Sequence, residues 1–131
     1  MFPFADIAVI KKVKSARAPS VQPRLRILRG SDIALGPGKA ELLWLIGQTG
    51  SINQAARRMG MSYMRAWSLV QTMNRCFKEP LVLATHGGEG GGGAKLTQTG
   101  RAAVACYRKM ERACLRATAA DWKQLRRLLR G

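Results

Sequence analysis

With 131 residues, 23 Lys and Arg against 7 Asp and Glu, and a formal net charge of +16, the chain has the length of one domain and the charge of a polyanion binder. Nucleic acid is the first candidate partner and an anionic membrane surface the second. The 3 cysteines and 1 histidine contain no Cys-x-x-Cys pair, which argues against structural zinc, and no apolar run reaches the roughly 18 residues of a membrane span.

Residues 1–22 read as a mobile basic arm. An apolar start from Met1 to Ile10 precedes Lys11-Lys12-Val13-Lys14, the reverse of a secretory signal, and Pro19 and Pro23 interrupt the segment. From Arg24 to Arg29, cations alternate with apolar residues. This predicts one short strand with Leu25 and Ile27 inward, ended by Gly30.

After the break at Gly36-Pro37-Gly38, a helix is expected from about Gly38 to Gln48, with Gly50 as its C-cap residue. Ser51 then opens a second helix. Gln54 stands three residues on, the spacing of a capping box, and Ile52, Ala55, Ala56 and Met59 form the buried stripe. Gly60 closes it, at a position suited to positive φ.

Ser62 caps a third helix that runs to about Lys78, before Pro80. At about 100° per residue, Tyr63, Ala66, Trp67, Val70, Met73, Asn74 and Phe77 share the core side. Met64, Arg65, Ser68, Gln71, Thr72 and Arg75 face out. A short helix and a longer one joined at a glycine turn, the second with a polar outer face, make a helix-turn-helix whose second helix suits the major groove. A plain packed helical hairpin is the competing reading.

Leu81 to Thr85 and Ala94 to Thr97 read as two strands of a β-hairpin wing around His86 and a glycine-rich tip. The tip is not a nucleotide loop, because no Gly-Lys-Ser or Gly-Lys-Thr follows it. His86 is read as a wing residue, and Trp44 and Trp67 as core. No paired carboxylates or Ser/His/Asp arrangement is visible, so the chain is not expected to be an enzyme.

A long helix follows from Thr99. Ala103, Cys106, Tyr107, Met110, Ala113, Cys114 and Ala117 mark its apolar stripe, and a break near residues 118–121, with Asp121 as a new N-cap, would start a basic amphipathic helix. Cys106 and Cys114 lie about 12 Å apart along the axis, too far for a disulfide, which fits reduced thiols. The stripe exceeds what a small domain can cover, which suggests a helix-mediated two-fold dimer.

Direct contacts to base edges are assigned to Ser62, Tyr63, Met64, Arg65 and Ser68. Tyr63 lies on the core side by angle, but in the first turn it can straddle both sides. Phosphate contacts are assigned to Arg57, Arg58, Thr72, Arg75, Lys95 and the backbone of Gly90, Gly91, Gly92 and Gly93, with Ser51 and Ser62 presenting helix N-termini.

The chain resembles the DNA-binding domain of the ModE family of molybdate-responsive transcription regulators over about residues 24–117. The resemblance rests on Thr49-Gly50-Ser51-Ile52, Gln54-Ala55-Ala56, Gly60-Met61-Ser62-Tyr63, Ala66-Trp67, Met73-Asn74, Gly87-Gly88, Gly90 to Gly93, and Leu96-Thr97 with Gly100. It implies a winged helix-turn-helix that dimerises through its first and long last helices, with the third helix in the major groove. Family members carry a second, molbindin-like domain that binds molybdate. The sequence ends at Gly131, so that domain is expected to be absent and no cofactor is expected in this chain.

The expected organisation is an arm at 1–22, a mainly α winged helix-turn-helix at 23–117 and a basic helix at 118–131. The expected function is that of a cytoplasmic, nucleoid-associated, homodimeric regulator of bacterial genes, a repressor, acting on double-stranded DNA and without a membrane role. Molybdate transport and molybdenum-related genes are its candidate targets. The alternative is a non-specific nucleic-acid-binding or architectural protein.

Overall fold

A computed structural model describes residues 18–85 and 93–131. Its elements are mostly helical, with two small antiparallel sheets. In order they are β1 (Ile27–Arg29), β2 (Asp32–Leu35), α1 (Pro37–Thr49), α2 (Ile52–Met59), α3 (Tyr63–Cys76), β3 (Val82–Thr85), β4 (Gly93–Leu96) and α4 (Gln98–Leu128). The chain divides into two compact units, residues 24–109 and residues 1–23 with 110–131.

In the first unit, α1 is the central element. Pro37 starts it, where a missing N–H has no consequence. Ala40, Leu42, Leu43, Leu45 and Ile46 are buried on it, and α2, α3, β2 and β4 all pack against it. Trp44, expected in the core, is half-buried. The helix ends as expected at Gly50, whose amide donates to the Ile46 carbonyl at 2.8 Å.

The predicted single strand at 24–29 is shorter and has a partner. β1 pairs with β2 around Gly30-Ser31, with a bulge between Ile27 and Leu28. β2 escaped the sequence reading because Asp32-Ile33-Ala34-Leu35 does not alternate: Ala34 and Leu35 are both buried. Its polar start is bound to neighbouring elements. The Cys76 thiol donates to Asp32 Oδ2 at 4.0 Å, and Lys39 Nζ donates to the Ile33 carbonyl. Burial pushes the Lys39 ammonium below its ordinary pKa, against the opposing pull of Cys76 and Asp32.

The hairpin of β3 and β4 pairs Val82 with Leu96, Leu83 with Lys95, Ala84 with Ala94 and Thr85 with Gly93. Asn74 on α3 holds its entry. The Asn74 amide donates to the Val82 carbonyl at 3.1 Å, and its oxygen accepts from the amides of Leu81 at 2.8 Å and Val82 at 3.3 Å. On the return strand, the Ala94 amide donates to the Gly50 carbonyl at 2.9 Å, tying β4 to the turn between α1 and α2.

Thr97 joins the hairpin to α4. Its amide donates to the Leu81 carbonyl at 2.9 Å, its hydroxyl donates to the Pro80 carbonyl at 2.6 Å, and the hydroxyl oxygen accepts from the Gly100 amide at 2.9 Å. At Gly100 a Cβ would lie 2.2 Å from the Leu81 carbonyl oxygen, so only glycine fits. Farther along, Val104 and Tyr107 are buried, and the Tyr107 hydroxyl donates to the Leu25 carbonyl at 2.8 Å.

In the second unit, described at residues 18–23 and 110–131, α4 continues to Leu128 without the break anticipated at 118–121. No Gly or Pro occurs between Arg101 and Arg130, and the Thr118 hydroxyl donates back to the Cys114 carbonyl at 2.7 Å. A new N-cap at Asp121 therefore has no helix end to serve. Along the whole of α4 the expected apolar stripe is partly open: Tyr107 is buried and Ala103 and Cys114 are half-buried, while Cys106, Met110, Ala113 and Ala117 are exposed. Arg108 and Glu111, outside that stripe, are buried as well. Among the described residues, no helix is long and apolar enough to cross a membrane.

Candidate nucleic-acid interface

α2 and α3 are set by their ends. The Ser51 hydroxyl accepts from the Gln54 amide at 3.0 Å, which is half of the expected capping box. The Ser51 amide donates to the Thr49 hydroxyl at 3.2 Å rather than waiting for the Gln54 side chain. Gly60 takes φ 71, a left-handed conformation that costs other residues more, and its amide reaches the Ala56 and Arg57 carbonyls. Two residues later the Ser62 hydroxyl accepts from the Arg65 amide at 3.1 Å and starts α3.

This turn lets Ala55 and Ala56 of α2 and Ala66, Val70 and Met73 of α3 be buried together. The predicted core side of α3 is only partly buried. Trp67, Asn74 and Phe77 are half-buried, and Tyr63 is 44% exposed. Tyr63 occupies the first turn, ahead of the buried Ala66, and stacks on Trp67 with ring centroids 6.3 Å apart and planes 17° from parallel. α3 ends at Cys76, two residues before the expected Lys78, because Phe77 leaves helical geometry with ψ 158.

The outward side gathers the remaining predicted residues. Met64 is 68% exposed, and Arg65 and Ser68 are exposed beside it. Arg57 and Arg58 project from the last turn of α2 and are exposed. Thr72 is half-buried, its hydroxyl donating to the Ser68 carbonyl at 3.2 Å and accepting from Arg75 at 3.5 Å. Arg75 is exposed at the far end of α3. The hydroxyls of Ser51 and Ser62 are engaged in capping.

On the hairpin, Lys95 is exposed opposite Leu83, itself 45% exposed. Gly93 is half-buried at the start of β4, where a Cβ would meet the Gly50 carbonyl at 3.2 Å. Gly90, Gly91, Gly92 and His86 lie outside the described residues, as does residues 1–17 of the expected arm.

Two features went unread in the sequence. Residues 42–78 contain Arg57, Arg58, Arg65, Arg75 and Lys78 and no Asp or Glu, so α2 and α3 carry positive charge without an internal counterion. The whole-chain total of +16 does not show this local excess; the sign count over these two helices does. Asn74 was assigned to the core side, but its three backbone bonds fix where the hairpin leaves α3. An Asn amid apolar positions six residues before Pro80 is the available signal.

No family model matches the chain. Among curated proteins, the molybdenum-pterin-binding protein MopB of Rhodobacter capsulatus is 44% identical over 85 residues, covering 65% of this chain and 32% of that protein. The molybdenum transport protein ModE of Azotobacter vinelandii is 46% identical over 78 residues, 60% of this chain and 29% of its own length. The DNA-binding transcriptional dual regulator ModE of Escherichia coli K12 is 41% identical over 71 residues, 54% of this chain and 27% of its own. The chain thus spans about a third of the length of the curated relatives it matches. These identities relate the chain to the ModE family.

Proposed function

We propose that α2, α3 and the β3–β4 hairpin form a winged helix-turn-helix that reads duplex DNA, and that the chain is a sequence-specific transcriptional regulator. The observation carrying this reading is the exposed first turn of α3. Met64, Arg65 and Ser68 are exposed on a helix whose first turn is capped by Ser62, with Arg57 and Arg58 exposed on α2 and no carboxylate in either helix. Arg65 suits a bidentate contact to guanine, and Met64 an apolar contact to a thymine methyl. Lys95 and the Gly93 backbone supply phosphate contacts beside the groove.

The names of the relatives support the biology. Several are called transcriptional regulator or molybdenum transport protein. The proposed targets are molybdenum-related genes, under repression, in the cytoplasm. The open apolar positions on α4 support a homodimer on a two-fold operator, with α1 and α4 at the subunit interface. No catalytic role and no cofactor is proposed for this part of the chain.

Recovery of bound DNA across the genome, with and without molybdate, identifies the operator. Competition binding then tests specificity. A regulator prefers that operator over random duplex by about 10³-fold or more. Equal competition by random duplex replaces this reading with a non-specific architectural one.

A further inference from the structure

The C-terminal part of α4 carries a charge pattern that the groove-reading site does not use. Arg112, Arg116, Lys123, Arg126 and Arg127 fall within an arc of roughly 100° when residues are placed about 100° apart, along about 22 Å of helix. All five are exposed. The two acids of this region, Glu111 and Asp121, fall outside the arc. We propose that this stripe is a second, sequence-independent contact surface for the sugar-phosphate backbone of duplex DNA.

Like-charged side chains on one helix edge repel each other, and a polyanion relieves that cost. Four of the five are arginines, whose planar forks pair two-point with phosphate oxygens. The opposite side is a poor lipid anchor. Leu125, Leu128 and Leu129 share it with Asp121, Thr118 and the buried Glu111, so lying on a membrane would press a carboxylate toward the acyl region.

The test uses the full chain, a random-sequence duplex and two triple variants that each remove three charges. Lys123/Arg126/Arg127→Gln strips the stripe with a good helix former at exposed positions. Arg24/Arg26/Arg29→Gln strips three cations elsewhere, at positions that are also exposed. Unchanged circular dichroism and melting temperature certify folding of both.

Each lost phosphate contact flattens the slope of log affinity against log salt by about 0.9. The stripe variant is expected to lose two or more units of slope and the control less than one. Equal losses in the two variants, or a loss below two in the stripe variant, overturn the proposal. So does loss of binding to phosphatidylglycerol–phosphatidylcholine vesicles by the stripe variant while its duplex slope is kept, which would assign the stripe to a membrane surface. Random-duplex binding does not depend on base readout, and the control variant leaves the other phosphate contacts in place, so the outcome is independent of whether α3 selects an operator.

Discussion

Arg65 is the residue on which the groove reading turns. It is exposed in the first turn of α3, and its amide is fixed by the Ser62 cap. Arg65→Ala is expected to weaken operator binding by about 1–3 kcal/mol and random-duplex binding much less, measured by competition at constant salt. Equal loss on both DNAs would make it a phosphate contact instead. Gly100 is constrained for the opposite reason, by crowding. Its missing side chain leaves room for the Leu81 carbonyl, to which a Cβ would come within 2.2 Å. Gly100→Ala is expected to destabilise by about 1–3 kcal/mol or more, because the clash is with backbone, read as a lowered denaturation midpoint.

At the scale of elements, the hairpin depends on α3. Asn74→Ala leaves the Leu81 and Val82 amides and the Val82 carbonyl without their side-chain partner. The expected cost is about 1–3 kcal/mol, with faster hydrogen exchange at Leu81 and Val82 than in α1. Local rules were enough to find α1, α2, α3 and the hairpin. The Ser51 and Ser62 caps, the glycines after α1 and α2, and Pro80 all act within a few residues of where they stand. β2 obeys no such rule, since its burial comes from α1 and α3 on either side. The unbroken course of α4 was missed because a favourable cap at Asp121 was weighed against a helix that contains no breaker. The core face of α3 was overestimated for a related reason: periodicity says which side a residue is on, not how far along the helix its cover extends, and Tyr63 lies in the uncovered first turn.

For the whole molecule, the apolar surface left open on α4 and the charge of +16 pull in different directions. Charge opposes association of copies, while Met110, 43% exposed, and Leu115, 40% exposed, favour it. The proposed homodimer reconciles them by adding DNA. Met110→Glu is expected to shift the chain toward monomer in sedimentation equilibrium and to weaken operator binding, while leaving the melting temperature of the residue 24–109 unit nearly unchanged. An unchanged molar mass would remove α4 from the subunit interface. The hairpin, finally, is attached through main-chain atoms at Gly50, Leu81 and Val82, whereas Leu83 and Lys95 point outward and take no part in the attachment. Placement and presentation are therefore separately encoded. The outward positions are free to drift between relatives and retune DNA preference, because their side chains make none of the hydrogen bonds that mount the strands.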